Sequence, residues 1–286
     1  MFETLATVLN DLFGMQPTSR PTVTTSTPHA ERCSPRPAGR PKEDKPESRF
    51  MRFIRLGLAA IRYTDAKGSR QALKGVLVRK GKMYATDGHK AFIASVTLPP
   101  GLDNIIFPPD FFKMHRNLPI QTLELTPDKR RLLVNGRVFP TPLIDEPYPN
   151  IEGVIPEKFR YEALVDKERL VTAVALAIKG CNDRDANITI DTRQRGRFSI
   201  FANHRSGDAH LVRHEVPYAG SCMGESFAFN GVLLLNIMKD LPGGTVRVGM
   251  NNHLGAFVFQ GQDEGVKTLL MPVRIHADEQ ALRQAA

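Results

Sequence analysis

A tandem α+β protein is the fold class that this sequence predicts, on three observations. Segments with helix-period hydrophobicity alternate with short strand-period segments, and the same order of elements runs through twice. The strand-like segments are short and divided by Gly, Asn and Pro turn signals, which suits antiparallel sheets. No glycine fingerprint of a nucleotide-binding βαβ unit and no phosphate loop interrupts the pattern.

The elements follow in order. Met1–Phe13 carries Phe2, Leu5, Val8, Leu9 and Leu12 at helical spacing, which predicts a short amphipathic helix. From Gln16 to Ser48, Pro, Ser and Thr dominate and large apolar residues nearly vanish. Such a stretch cannot offset its chain entropy, so residues 1–48 predict an arm with a disordered linker. Arg49–Tyr63 predicts a helix with Met51, Ile54, Leu58 and Ile61 on one face and Arg52, Arg55 and Arg62 largely off it. Strands are expected at Leu73–Val78, Lys82–Ala85 and Ala91–Val96, then a helix at Pro108–Leu118 with Pro109 near its start. Thr122–Leu125, Arg131–Val134 and Arg137–Phe139 read as strands, the last two divided by the Asn135–Gly136 turn.

The order then recurs. Asp166–Lys179 predicts a helix with Leu170, Val171, Val174 and Ile178 inward, followed by strands at Asn187–Ile190 and Arg197–Ala202. Asn230–Leu241 predicts another, capped by Asn230 and stopped at Pro242-Gly243-Gly244. Val246–Met250, Ala256–Gln260 and Lys267–Val273 close the chain as strands. The resulting division is an arm at 1–48, domains at 49–150 and 151–275, and an extension at 276–286.

Composition narrows the function classes. The 286 residues carry a net charge of +9, and residues 1–50 account for only +1 of it, from seven Lys/Arg and six Asp/Glu. The excess on the body points to a polyanion, with nucleic acid ahead of an acidic membrane. No stretch nears the roughly 20 apolar residues of a membrane span, and no secretory signal pattern opens the sequence. Cys33, Cys181 and Cys222, odd in number and far apart, suit a reducing cytoplasm rather than a disulfide framework or a zinc site.

Catalytic constellations are thin. Asp183, Asp185 and Asn187 imitate the start of a calcium loop, but Ile188 replaces the required glycine and Gln194 the bidentate glutamate. His210 and His214 are spaced as a helical zinc pair, yet they fall in a strand-like stretch with no acidic base between them. Asp87 and His89 have no nucleophile motif beside them. A metal-dependent nuclease on another fold is therefore the remote alternative, and no cofactor or metal is expected.

Four segments carry a family resemblance. Tyr84-Ala85-Thr86-Asp87-Gly88-His89-Lys90-Ala91 resembles a segment of the middle domain of the DNA polymerase III beta subunit, the bacterial sliding clamp. Tyr148-Pro149-Asn150 through Val154-Ile155-Pro156 resembles the link between the middle and last domains of that family. Phe229-Asn230 with the helix after it, and Leu269-Leu270-Met271-Pro272-Val273-Arg274-Ile275, resemble its last domain. The resemblance covers roughly residues 50–275, in order. The family's first domain has no counterpart, Gly153 stands where the family usually has an arginine, and eleven residues follow Ile275.

The resemblance implies tandem DNA-clamp domains of a ring-forming superfamily and a non-catalytic processivity factor. In that family helices line a central hole and meet the phosphate backbone without reading sequence. Here the implied DNA-facing residues are Arg52, Arg55, Arg62, Lys113, Arg116, Lys167, Arg169, Lys179 and Lys239. A partner pocket that receives peptides ending in Leu-Phe is implied at Leu73, Thr86, Gly88, His89, Lys90, Pro149, Val154, Leu254, Ala256, Leu269, Leu270, Met271 and Pro272. The implied partners are duplex DNA, a polymerase and other proteins with such peptides, and a clamp loader. Six similar domains per ring imply a homotrimer; an accessory or decoy protein that keeps the surface without closing a ring is the main alternative. Asp11-Leu12-Phe13 itself resembles the end of a partner peptide.

Overall fold

The computed structural model describes residues 49–99, 101–156, 158–181, 186–202, 212–252 and 254–274, all within the unit Ser48–Ala286. The expected N-terminal helix and linker, Asp11-Leu12-Phe13, Asp183, Asp185, His210 and the extension 276–286 lie outside the described residues.

The body's first helix forms as α1, Arg49–Ala60, and tightens into a 3-10 turn at Ile61–Tyr63. Its inward stripe differs from the expected one. Phe50, Phe53, Ile54, Leu56, Gly57 and Ala60 are buried, while Met51 is exposed. The two phenylalanines carry the larger apolar surface and turn the helix towards themselves. After it come β1 (Val76–Arg79), β2 (Lys82–Thr86) and β3 (Lys90–Ser95), preceded by a 3-10 turn at Gln71–Lys74 rather than a strand.

Three further units each begin with a strand that runs into a helix. β4 (Ile105–Phe107) leads to α2 (Pro109–Met114) and β5 (Leu123–Leu125), β6 (Leu132–Val134) and β7 (Arg137–Val138). β8 (Tyr161–Asp166) leads to α3 (Lys167–Lys179), β9 (Asn187–Asp191), β10 (Arg197–Ala202) and β11 (His214–Gly220). β12 (Ser226–Asn230) leads to α4 (Gly231–Asp240), β13 (Thr245–Met250), β14 (Phe257–Gln260) and β15 (Val266–Leu270). The helix starts are explained locally. The Asp166 side chain accepts from the Arg169 amide over 2.8 Å, and that of Asn230 from the Leu233 amide over 3.0 Å.

Twelve strands form one antiparallel sheet in the order β12-β9-β10-β11-β8-β13-β14-β15-β3-β2-β1-β4, and β5-β6-β7 form a second. The joint between the repeats is β15 against β3, from Val266↔Ala94 to Leu270↔Lys90. Because strand side chains alternate, each strand near this joint has two buried faces. Val76, Val78, Met83, Ala85, Phe92, Phe257, Phe259 and Leu270 belong to the main core with the helices. Leu77, Tyr84, Ala91, Ile93, Ala256, Val258 and Leu269 form a second, smaller core on the opposite face. Helix α1 packs on α2, and α3 on α4. Arg62, just past α1, pairs with Asp240 at the end of α4 across the repeats.

Candidate partner cavity and basic helices

The turn between β2 and β3 is held by its own side chains. The Thr86 hydroxyl donates to the Lys90 carbonyl over 2.7 Å and accepts from the Gly88 amide over 3.0 Å. The Asp87 carboxylate accepts from the amides of His89 and Lys90, each over 2.9 Å. Gly88 sits at φ +93°, a conformation that a side chain would strain. Asp87 thus shapes the turn.

Above the smaller core, this turn, the link from Pro149 to Val154 and strand β15 enclose an open cavity of about 290 Å³. Its floor is apolar: Leu73, Ala91, Ile151, Ala256, Leu269 and Met271. Arg70 and His89 stand exposed at the rim, and no carboxylate lines it among the described residues. The wall carrying Val154 is tied down from below. Tyr84 donates its phenol to the Glu152 carboxylate over 2.8 Å, and Arg79 pairs with the same carboxylate at 3.4 Å. Burial, with that carboxylate beside it, pushes the Tyr84 phenol up to about 12. The Tyr84 hydrogen bond in turn holds the Glu152 carboxyl below its usual range. Lys90 lines the cavity, but its ammonium donates to the Arg62 carbonyl over 2.7 Å and lies 4.9 Å from the centre of the Tyr63 ring.

Ten expected pocket residues meet here: Leu73, Thr86, Gly88, His89, Lys90, Pro149, Val154, Ala256, Leu269 and Met271. Three do not. Leu270 points to the other face of β15 and is 1% exposed in the main core. Leu254 projects into solvent from the turn after β13, and Pro272 lies beside the cavity without lining it. Arg70, Ala91, Asn150 and Ile151 line it and were missed. Ala91 was legible in principle as the strand partner of Leu269. Asn150 and Ile151 continue the Pro149 segment, whereas nothing local marks Arg70.

The expected basic residues fall into two groups. Arg52 pairs with Asp263 at 3.2 Å, Arg62 with Asp240, and Lys113 with Asp110 at 3.5 Å. The Lys167 ammonium donates to the Leu241 carbonyl over 2.9 Å, closing the end of α4. Arg55, Arg116, Arg169, Lys179 and Lys239 are exposed on or beside the helices. The helices occupy the sheet face opposite the cavity, so the molecule separates a basic helical side from a side that carries an apolar cavity. Among the described residues no group of three or more His, Cys, Asp or Glu could hold a metal ion. No helix among them is long and apolar enough to cross a membrane.

Paired helices backed by antiparallel sheet, repeated and joined through one continuous sheet, define a DNA-clamp fold. More particularly, it is the fold of the bacterial sliding clamp, the beta subunit of DNA polymerase III. The Caulobacter crescentus beta sliding clamp superposes at a TM-score of 0.68 with 20% identity, covering 78% of this chain and 63% of that one. The Pseudomonas aeruginosa clamp gives 0.68 and 19%, covering 78% and 65%. The beta subunit from Streptococcus pyogenes gives 0.66 and 19%, covering 79% and 64%. No protein-family model and no curated protein sequence matches the chain. The chain therefore spans under two thirds of the length of the clamps whose fold it shares.

Proposed function

We propose that this chain is a clamp-type docking factor in DNA replication: its basic helices lie against duplex DNA, and its cavity receives apolar peptides of partner proteins. It performs no chemistry itself and needs no cofactor. One observation carries this reading. A cavity with an apolar floor and basic rim forms where the two repeats meet, from ten of the thirteen positions that the clamp resemblance implies. A volume near 290 Å³ accommodates the bulky side chains of a Leu-Phe ending, and Arg70 and His89 favour a peptide with an acidic neighbour. The partners in this reading are sequence-independent duplex DNA, a polymerase and other proteins with such peptides, and a clamp loader.

The test is fluorescence polarisation with a labelled peptide ending in Leu-Phe. Saturable binding by the full chain, lost on Val154→Asp, is the expected result. Absence of binding by the folded wild-type chain would sink the docking role.

Assembly divides this reading in two. Six-domain arithmetic gives a closed homotrimer; an accessory body that keeps both surfaces without closing is the other. The open edges of the sheet bear on that choice.

A further inference from the structure

Each of the four units ends in a strand: β3, β7, β11 and β15. Two of these already meet. β15 lies along β3 over five residue pairs, neither strand contains a proline, and the Ser95 amide donates to the Gly265 carbonyl over 2.9 Å. This is how one repeat's sheet continues into the next. A second copy joined in the same way would lay its β7 along β11, the terminal strand of an even unit along that of an odd one.

Both of those edges are poor in the amide donors that such pairing uses. On β11 the Tyr218 amide donates towards β10, to the Gly196 carbonyl over 3.0 Å, and the Ser221 amide donates to Glu162 of β8 over 2.8 Å. β8 covers only Tyr218–Gly220. Strand alternation therefore leaves Glu215 and Pro217 as the amide positions facing the outer edge, and Pro217 has no N–H. On β7 the Phe139 amide turns inward to the Leu132 carbonyl over 2.8 Å, so the outward position is Val138. The strand stops there, and the next alternate residues are Pro140 and Pro142. A strand of two residues followed by alternating prolines is an edge built not to pair. Arg137 on one edge and Arg213 on the other are both exposed, adding like charge to any approach.

We infer that this chain does not join copies of itself edge to edge, and acts as a single-chain open body rather than a ring. The docking cavity is untouched by this, since it lies at the internal joint and is complete in one chain. DNA is then held by charge alone, without topological linkage, and escapes as soon as salt screens the basic helices. The inference stands whether or not the cavity binds peptide.

Native mass and sedimentation of the full chain at micromolar concentration test it. A mass of one chain, 31.8 kDa, is expected, and a defined assembly of two or more copies overturns the inference. Retention on closed circular duplex in salt that strips the protein from linear duplex would overturn it equally. Replacing Pro140, Pro142 and Pro217 together by Thr should allow self-association; a folded variant that stays single removes the role given to the prolines. Should that variant fail to fold, hydrogen exchange of the Glu215 amide in the wild-type chain decides. Fast exchange at every protein concentration is expected, and protection that grows with concentration overturns the inference.

Discussion

The Met271 amide donates to the His89 carbonyl over 2.9 Å, fastening the exit of β15 to the turn between β2 and β3. That bond joins the two repeats at the cavity wall. Cavity shape and repeat packing are consequently one property, and substitutions there separate only when their faces differ.

Val154 and Leu270 provide that separation. Val154 is 49% exposed on the cavity wall, and Val154→Ala should leave the unfolding free energy within about 0.5 kcal/mol of wild type while weakening peptide binding. Leu270→Ala should cost about 2–5 kcal/mol of stability, because it empties a site in the main core. Binding and denaturation measured on both variants check this; equal stability losses would contradict the face assignment.

Asp240 should set a pH dependence. Burial holds its carboxyl above the usual range, offset only in part by Arg62 and Lys90. A carboxyl with a higher pKa folded than unfolded binds its proton more tightly in the native state. Its contribution to stability therefore falls as pH rises from about 4 through the folded pKa, and is level above it. Asp240→Asn, which imitates the protonated form, should lack that slope. Thermal unfolding of both proteins from acid to neutral pH checks it, and parallel curves would refute it.

Gly57 brings α1 against α2. A methyl group placed there would overlap the Phe112 ring, so Gly57→Ala should destabilise by about 1–3 kcal/mol despite the better helix propensity of alanine. Gly153→Ala meets only the Asn150 side chain and should be close to neutral. Urea denaturation of the two variants distinguishes packing from a general intolerance of side chains.

DNA binding should be blind to sequence and steep in salt. Lys179 and Lys239, exposed at the ends of α3 and α4, can be reversed to Glu without breaking a described ion pair. Their joint reversal should reduce the slope of log K against log salt by about 2, since each phosphate contact contributes about 0.9. An unchanged slope would move the DNA face away from these helices. Arg52 and Arg62 are poorer probes, because their loss also breaks pairs with Asp263 and Asp240.

The helices, the hairpins and most of the cavity could be read from the sequence because each has a local cause: caps, turns, hydrophobic period. β4, β8 and β12 were not read. Each runs into a helix with at most one intervening residue, and Asp166 and Asn230 end a strand while capping the helix that follows. No turn residue marks the change of period, so the strand is hidden in the approach to the helix. Leu270 was misassigned for a related reason: two adjacent leucines in one motif look alike until the sheet gives each a face. Arg70 was invisible because only tertiary packing carries it to the rim.

The β3–β15 joint also bears on how the protein is made. Residues 96–265 separate the two strands, so during synthesis β3 waits with an unpaired edge until all of that segment has left the ribosome. Closing so distant a contact is slow relative to the local hairpins. A nascent chain halted before Val266 would hold folded helices and an exposed strand, but not the cavity that Leu269 and Met271 help to line.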